Sequence, residues 1–403
     1  MSYDLSKIPT VDVSVKIPKS DYEARCAKLR SEMEKRGIDI GFTFGSPFMP
    51  GDVMYLTGYD PVLENNMVMI SKDKVFLLCG QEGSYCARFH IMNGEIKIIL
   101  EMNIPTEEYI NTGSTTVKDL IKEVTPHGVK RIGILTREDV FSVDALNSIK
   151  NAAGSMVDFV DASDIIYNMR FEKSIAEQAV LRVANRISIE AVKAMCESVE
   201  PGMREFEVMA IGDYVMKKMG ATCLGFDSFI QSGDRSNCVM GRASDRVIKK
   251  GEPVKIGTAA RYEGYSSTAQ RMTVAGGFTQ EFVDFYEIVA QAHEIGRDHF
   301  VCGQPRADLE RAVCDFWKKH DLLKYKVFSS AHGTGISECM EGIAFTLQST
   351  ELIPKNCAMM IDCGLFDVPK FHGVSIESPY LINDKGERED LACAYYPLRN
   401  WLL

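Results

Sequence analysis

Four short motifs in the second half of the chain constrain its fold more strongly than any other feature of the sequence. They follow one another as Gly264–Arg271 (GYSSTAQR), Ala331–Gly335 (AHGTG), Met360–Gly364 (MIDCG) and Gly373–Glu377 (GVSIE). Apolar and alternating runs surround three of them and predict antiparallel strands over 252–274 and 358–381. The motif around His332 predicts a glycine-flanked turn with room for a ligand.

The length of the chain and its helix signals predict two domains. A chain of 403 residues exceeds one ordinary core. Strand and helix patterns alternate over roughly the first 160 residues, as in a mixed α/β domain. Ser174–Glu177 (SIAE) has the form of a capping box and predicts a long helix that ends before Pro201. We therefore predict an N-terminal α/β domain over residues 1–165 and a C-terminal domain over residues 170–403.

Composition excludes several classes of protein. The formal net charge of −10 disfavours general nucleic-acid binding. No apolar run approaches the roughly 18 residues that a membrane helix needs, and residues 1–20 lack the apolar core of a signal peptide. The 12 cysteines are scattered without a C-x-x-C pair, which predicts free thiols in a reducing compartment, the cytoplasm.

The four motifs resemble, in order and spacing, those of the creatinase, aminopeptidase P and methionine aminopeptidase family. The resemblance extends from about Arg170 to Tyr380, and Lys173–Ser174 at the head of the long helix also fits it. It implies a C-terminal pita-bread domain with a smaller N-terminal α/β domain of the creatinase type. It also implies a homodimer in which the N-terminal domain of one subunit closes over the active site of the other.

The same resemblance allows a comparison of metal ligands. Metallopeptidases of this fold hold two divalent ions with two aspartates, one histidine and two glutamates. The five matching positions here are Gly257, Thr268, His332, Asp362 and Glu377. Because glycine offers no ligand atom and a threonine hydroxyl is a poor ligand, the paired site is not expected. We predict no metal and no other cofactor.

Metal-free catalysis has a precedent in creatinase, where the family resemblance implies a histidine as general acid and base on a C–N bond. We predict metal-independent hydrolysis of a non-peptide C–N bond in a small nitrogenous compound. His332 would carry protons, Asp362 and Glu377 would orient water and substrate, and Thr268 and Gln270 would supply hydrogen bonds.

Departures from creatinase predict a cationic substrate. By resemblance, Met240 stands near the catalytic histidine of creatinase, Gln270 replaces a glutamate, and Glu64 replaces an arginine that grips the substrate carboxylate. A negative charge at Glu64, together with Asp227, would favour an amine, amidine or guanidine. Two aromatic residues could add ring faces for such a cation, namely Phe226 and Tyr265.

Other interpretations remain open at this point. His332 could be a former ligand in a polar network, and Asp362 and Glu377 could pair with Arg271 for structure. Cys339 aligns with a substrate-contacting histidine and is either a substrate contact, a nucleophile or a packing residue, while His372 should face away from Glu377. The alternative functions are an Xaa-Pro metallopeptidase with a degraded or mononuclear site, a non-enzymatic pseudo-peptidase, and a lyase.

Overall fold

The computed structural model of the chain describes residues 3–103, 113–338, 341–342 and 344–403. Within them the chain forms two compact units, Pro18–Arg170 and Met1–Ile17 with Phe171–Leu403. None of the helices in the described ranges is long and apolar enough to cross a membrane.

The first unit, residues 18–170, is built on a mixed sheet. Its described strands are β1 (Ile40–Gly45), β2 (Asn66–Ser71), β3 (Val75–Cys79), β4 (Glu95–Ile98), β5 (Arg131–Ile134) and β6 (Asp158–Asp161). They lie in the order β4-β3-β2-β1-β5-β6. The β1–β2 and β2–β3 pairs are antiparallel, and the outer pairs are parallel. A turn at 72–74 joins β2 and β3 into a hairpin.

Helices cover this sheet, and its central strands β1 and β2 are buried at every residue. They are α1 (Lys19–Lys35), α2 (Gly51–Thr57), α3 (Gln81–His90), α4 (Val117–Val124), α5 (Val143–Ala153) and α6 (Ser163–Phe171). The β1 residues Ile40 and Phe42 are fully buried in one core with Leu120 of α4 and Ile149 of α5. This α/β arrangement agrees with the predicted fold class.

The second unit contains a fully antiparallel sheet. Its described strands are β7 (Cys223–Ser232), β8 (Pro253–Tyr262), β9 (Tyr265–Val274), β10 (Ala331–Gly333), β11 (Cys357–Val368), β12 (His372–Ile382) and β13 (Arg388–Asp390). They lie in the order β10-β11-β12-β9-β8-β7, and β13 pairs with β12. All four sequence motifs lie on or beside these strands, as the predicted pita-bread domain requires.

Four helices among the described residues pack on one face of this sheet. They are α7 (Ile175–Ser198), α8 (Glu205–Met219), α9 (Gln280–His299) and α10 (Arg306–Lys319). The helix α7 begins at a complete capping box, in which Ser174 and Glu177 satisfy each other's backbone amides. Ile361 and Ile376 point from the sheet into a core with residues of α9 and α10, such as Val289 and Val313.

The first residues of the chain pack on the second unit, although the sequence analysis assigned residues 1–165 to one domain. The Tyr3 hydroxyl donates to Glu190 on α7 at 2.5 Å, and the Tyr262 hydroxyl on β8 donates to the carbonyl oxygen of Val15 at 2.9 Å. The segment before α1 therefore belongs to the second unit, and no local sequence pattern predicts these contacts.

Strand register determines which side chains share the uncovered face of the second sheet. Asp362 pairs with Glu377, Glu377 with Gln270, Gln270 with Gly257, and Gly257 with Phe229. Directly paired residues project to the same face, and alternate residues along a strand project to opposite faces. One row across β11, β12, β9, β8 and β7 thus collects positions that lie up to 148 residues apart in the chain, from Phe229 to Glu377.

Candidate active site

His332 and Glu377 form the central pair of the site. His332 Nε2 lies 3.1 Å from Glu377 Oε1, and the two side chains are 16% and 6% exposed. The short strand β10 holds His332 opposite Met360 on β11. A histidine beside a buried carboxylate can bind a cation or carry a proton, so this pair alone is compatible with both chemistries.

Asp362 lies next to this pair as the cross-strand partner of Glu377. Its Oδ1 is buried and has no hydrogen-bond partner among the described residues. Burial, and then the negative charge of Glu377, raise the pKa of Asp362 well above its ordinary range. A carboxylate with a raised pKa is a stronger proton acceptor, which suits a general base.

Glu338 is a third acidic group at the site, and the sequence analysis missed it. Thr334 Oγ1 donates to its Oε2 at 2.8 Å, while its Oε1 is buried without a hydrogen-bond partner in the described ranges. Burial raises the pKa of Glu338 to about 7, whereas His332 acts to lower it. The Thr268 hydroxyl also faces this carboxylate and acts to lower its pKa. The feature of the sequence that could have identified Glu338 is its position just after the AHGTG motif.

A buried ion pair holds the segment that carries Glu338. Glu341 Oε1 accepts from the backbone amide of Ser337, the residue directly before Glu338, at 2.8 Å. Lys173 Nζ, just before α7, lies 3.8 Å from Glu341 Oε2, and both side chains are 1% exposed. Glu338 is therefore positioned by the same Lys173 that belongs to the sequence motif.

The three ligand atoms of His332, Glu338 and Glu377 all lie within 4.8 Å of one another. One imidazole and two carboxylates are a ligand set that suits zinc, manganese or iron. The buried, unpartnered Glu338 Oε1 gives this cluster a free acceptor atom among the described groups. The residues present therefore fit one divalent ion.

The second ion of the paired site does not fit. Gly257 has no side chain, and a Cβ built on it would overlap the ring of Phe229, so the space of the first family aspartate is filled by an aromatic ring. The second aspartate position is Thr268, whose hydroxyl is buried without a regular hydrogen bond among the described residues. An aspartate at Gly257 would have to displace the Phe229 ring.

A lysine that sequence analysis also missed lies on this side of the site. Lys255 precedes Gly257 by two residues on β8 and is 0% exposed. Burial lowers its pKa to about 7, and the charge of Asp362 acts in the opposite direction. The sequence could have indicated Lys255, because a lysine within a strand that is predicted to be buried is unusual.

Thr268 and Gln270 of β9 lie beside the acidic cluster, where the predicted hydrogen-bonding role would place them. Gln270 is the register partner of Glu377, and its Nε2 donates to the Ser375 hydroxyl. Arg271 projects to the other face and donates to the Glu377 carbonyl oxygen at 2.8 Å. Arg271 therefore contacts the backbone of Glu377, whereas the structural alternative paired it with the Glu377 carboxylate.

The residues proposed for a cationic substrate do not gather at the cluster. Phe226 stacks on Phe229 with ring centroids 5.9 Å apart. Asp227 is 53% exposed and pairs with Arg242 at 2.6 Å, and Met240 is 47% exposed. Tyr265 is 2% exposed and its hydroxyl donates to Glu177 on α7 at 2.7 Å. The Tyr265 hydroxyl thus links β9 to α7 through a hydrogen bond.

Three further predicted residues lie elsewhere. Glu64 is 5% exposed in the first unit, where its Oε2 accepts from the Gly83 amide in the first turn of α3 at 2.8 Å. Burial raises the pKa of Glu64, while the backbone amides at this helix N-terminus act to lower it. His372 begins β12, has a positive φ of 58° and pairs with Val368 after a register shift in β11, so the predicted alternation of side chains does not extend to it. Cys339 lies outside the described residues.

Fold and site together define a class: a two-unit pita-bread hydrolase whose acidic cluster suits a metal ion. The sequence pattern described as "Metallopeptidase family M24" matches residues 179–384, and the "Creatinase/Prolidase N-terminal domain" matches residues 25–171. The chain belongs to metallopeptidase family M24.

One relative in sequence and two solved structures illustrate the similarity. An Xaa-Pro dipeptidase from Pyrococcus horikoshii is 27% identical over 361 residues, which is 90% of this chain and 95% of the relative. The crystal structure of the prolidase from Pyrococcus horikoshii has a TM-score of 0.77 at 26% identity, covering 91% of this chain and 97% of that one. An X-Pro aminopeptidase from Thermotoga maritima has a TM-score of 0.79 at 23% identity over 91% and 97% of the two chains, and supports the fold alone.

These relatives contradict the function predicted from sequence. The predicted hydrolysis of a non-peptide C–N bond without a metal is wrong, because the chain belongs to a metallopeptidase family and its relatives over most of its length include an Xaa-Pro dipeptidase and a prolidase. The prediction counted only ligands at the five family positions. It therefore missed Glu338, whose carboxylate comes from a different segment.

Proposed function

We propose that this chain is a peptidase that cleaves small peptides of the Xaa-Pro type with one divalent metal ion. One observation carries the proposal: His332, Glu338 and Glu377 present three ligand atoms within 4.8 Å of one another. They do so on the fold shared with prolidases. A bound ion would polarise a peptide carbonyl and lower the pKa of water.

Each residue of the cluster has a defined part in this proposal. His332 Nε2 and the carboxylates of Glu338 and Glu377 hold the ion. Asp362, whose Oδ1 has no hydrogen-bond partner among the described residues and whose pKa is raised, accepts a proton from water. Thr268 and Gln270 orient the substrate from β9. Without an ion, His332 Nε2 lies 3.1 Å from Glu377 Oε1.

The assembly and location of the protein are also part of the proposal. We propose a homodimer that acts on a small-molecule substrate, with the N-terminal unit of one subunit closing the site of the other. Exposed apolar residues of the first unit would be covered there, among them Phe48 at 91% and Phe89 at 85% exposure. A cytoplasmic location is supported by the free state of the described cysteines.

The test combines metal loading with a dipeptide assay. The full chain is stripped with a chelator, loaded with Mn²⁺, Co²⁺ or Zn²⁺, and assayed on Ala-Pro and on Ala-Ala. We expect hydrolysis that depends on the ion and prefers Ala-Pro. Activity should fall about 10²–10⁴-fold in Asp362→Asn through loss of the proton acceptor, and Glu377→Gln should also weaken ion binding.

His372→Ala is the matched control, since it removes a histidine at the start of β12 that is not part of the cluster of His332, Glu338 and Glu377. It should leave ion binding and activity unchanged. A chain that retains no ion and cleaves neither dipeptide under any loading condition would refute the proposed function.

A further inference from the structure

Residues 233–241, which we call the wall segment, lie across the face of the second sheet that carries the acidic cluster. The side chain that holds the middle of this segment is Lys255 of β8, which shares that face with Gly257 and is 0% exposed. Lys255 Nζ donates to the carbonyl oxygens of Cys238 at 2.5 Å and Val239 at 3.2 Å. The backbone of the wall segment is thus bonded to the floor of the sheet.

Two aromatic rings keep the Lys255 side chain in this position. The ring centroids of Phe366 and Phe229 lie 4.7 Å and 5.8 Å from Nζ. A cation is attracted to ring faces at such distances. The lysine therefore points to the wall segment instead of extending into solvent.

The wall segment is also bonded to β11 and β12. The Gly373 amide donates to Ser236 Oγ at 3.0 Å, and the Asp367 amide donates to Asn237 Oδ1 at 2.8 Å. A Cβ built on Gly373 would lie 1.9 Å from the Ser236 carbonyl oxygen, so the two backbones are in close contact. Gly373 precedes Glu377 by four residues on β12, which is about 13 Å along a strand. The wall segment therefore bounds the proposed ion site on this side.

A buried carboxylate fixes the chain on both sides of the wall segment without involving Lys255. Glu205 at the start of α8 is 0% exposed, and its two oxygens accept from the amides of Ser232 at 2.9 Å and Ser244 at 3.1 Å. Removal of the Lys255 amine should therefore loosen the middle of the wall segment and leave its ends in place.

We propose that Lys255 is a positioning residue that holds the wall segment beside the substrate site and so increases the affinity for the peptide. Asp362 and the proposed ion ligands come from other elements, so this role concerns substrate binding and not the chemical step. The effect on the peptide rests on the proposed function, whereas the hold on the wall segment does not.

The first test measures the hold on the wall segment by limited trypsin digestion of the full chain. Arg242 directly follows the segment, and its side chain is 86% exposed. Cleavage after Arg242, counted by mass spectrometry, reports the population of locally open forms. Lys255→Met keeps an unbranched apolar side chain without the donor, and should be cleaved about 10-fold faster than wild type because two hydrogen bonds are lost. Lys255→Gln keeps N–H donors and should lie closer to wild type.

The second test measures the effect on the substrate with the Mn²⁺-loaded chain and Ala-Pro. In Lys255→Met the KM should rise about 10-fold while kcat and its pH profile are kept, because lost ground-state binding changes KM alone. Asn237→Ala removes the bond to the Asp367 amide and should raise both KM and the cleavage after Arg242, without any change at Lys255. Lys249→Met removes an exposed lysine just before β8 and is the matched control, which should equal wild type in both tests.

Three outcomes would overturn the proposal: cleavage of Lys255→Met after Arg242 at the wild-type rate, an unchanged KM in an active enzyme, or a shifted pH profile of kcat. The last would assign Lys255 to the charge of the site. If Lys255→Met does not fold, Lys255→Gln and Asn237→Ala decide by the same measurements. A wild type that cleaves neither dipeptide refutes the peptidase, and the trypsin rates then decide whether Lys255 holds the wall segment.

Discussion

The stability of the ion-free protein should reveal the buried carboxyl of Glu338. Burial raises its pKa from the ordinary 4.5 to about 7, so the folded chain binds this proton more tightly than the unfolded chain. Between these two values the native state carries more protons, and stability therefore falls as pH rises. The shift corresponds to about 3 kcal/mol once both forms are deprotonated, since each pKa unit is worth about 1.4 kcal/mol.

Glu338→Gln removes this titration while keeping the shape of the side chain. In chelator the variant should equal wild type near pH 5 and be more stable by about 2–3 kcal/mol at pH 8.5. Asp362 also has a raised pKa and lowers stability with rising pH in both proteins, so the difference between them isolates Glu338. Urea unfolding at a series of pH values measures it.

Saturating Mn²⁺ should reverse the order of stability. Wild type binds the ion with Glu338, and an ion that binds the folded state stabilises it by mass action. Loss of this ligand should weaken binding at least ~100-fold, which is about 2.7 kcal/mol. Glu351→Gln, at an exposed position of the same unit, should follow wild type throughout. An unchanged difference between Glu338→Gln and wild type from pH 5 to 8.5 would refute the reasoning.

Three further substitutions test the supporting structure. Gly257→Asp should destabilise the chain by about 1–3 kcal/mol through overlap with the Phe229 ring. Urea unfolding should show that Gly257→Asp/Phe229→Ala regains part of this stability, and a double variant that regains none would contradict the overlap. Glu341→Gln should cost about 3–5 kcal/mol by removing the carboxylate charge that faces the buried Lys173 ammonium, and a melting temperature equal to that of wild type would exclude this role. Tyr265→Phe should lower the free energy of unfolding by about 1 kcal/mol and leave kcat unchanged. A large loss of kcat would indicate instead that Tyr265 acts in the active site.

The predicted function failed at an identifiable step. The five family positions were compared with the sequence, and the loss at Gly257 and Thr268 was taken as the loss of metal chemistry. The structure brings Glu338 to face Thr268 from a segment 70 residues further along the chain. A carboxylate can be replaced in space by one from another segment, and a comparison of positions does not detect this.

Sequence alone determined the architecture of this protein. Ordered motifs, capping residues such as Ser174 and the alternation of apolar side chains are local features, and local geometry decides where helices begin and which strand residues share a face. These features were sufficient for the fold class and for placing His332, Asp362 and Glu377 in one domain.

Only the tertiary structure decided the composition of the site. Strand register aligned Gly257 with Phe229 and so closed the second ion position, and burial gave Glu338 and Lys255 their shifted pKa values. Both effects depend on residues far apart in the chain. Charge compensation and excluded space are properties of a packed neighbourhood, and the order of residues does not contain them until the chain is folded.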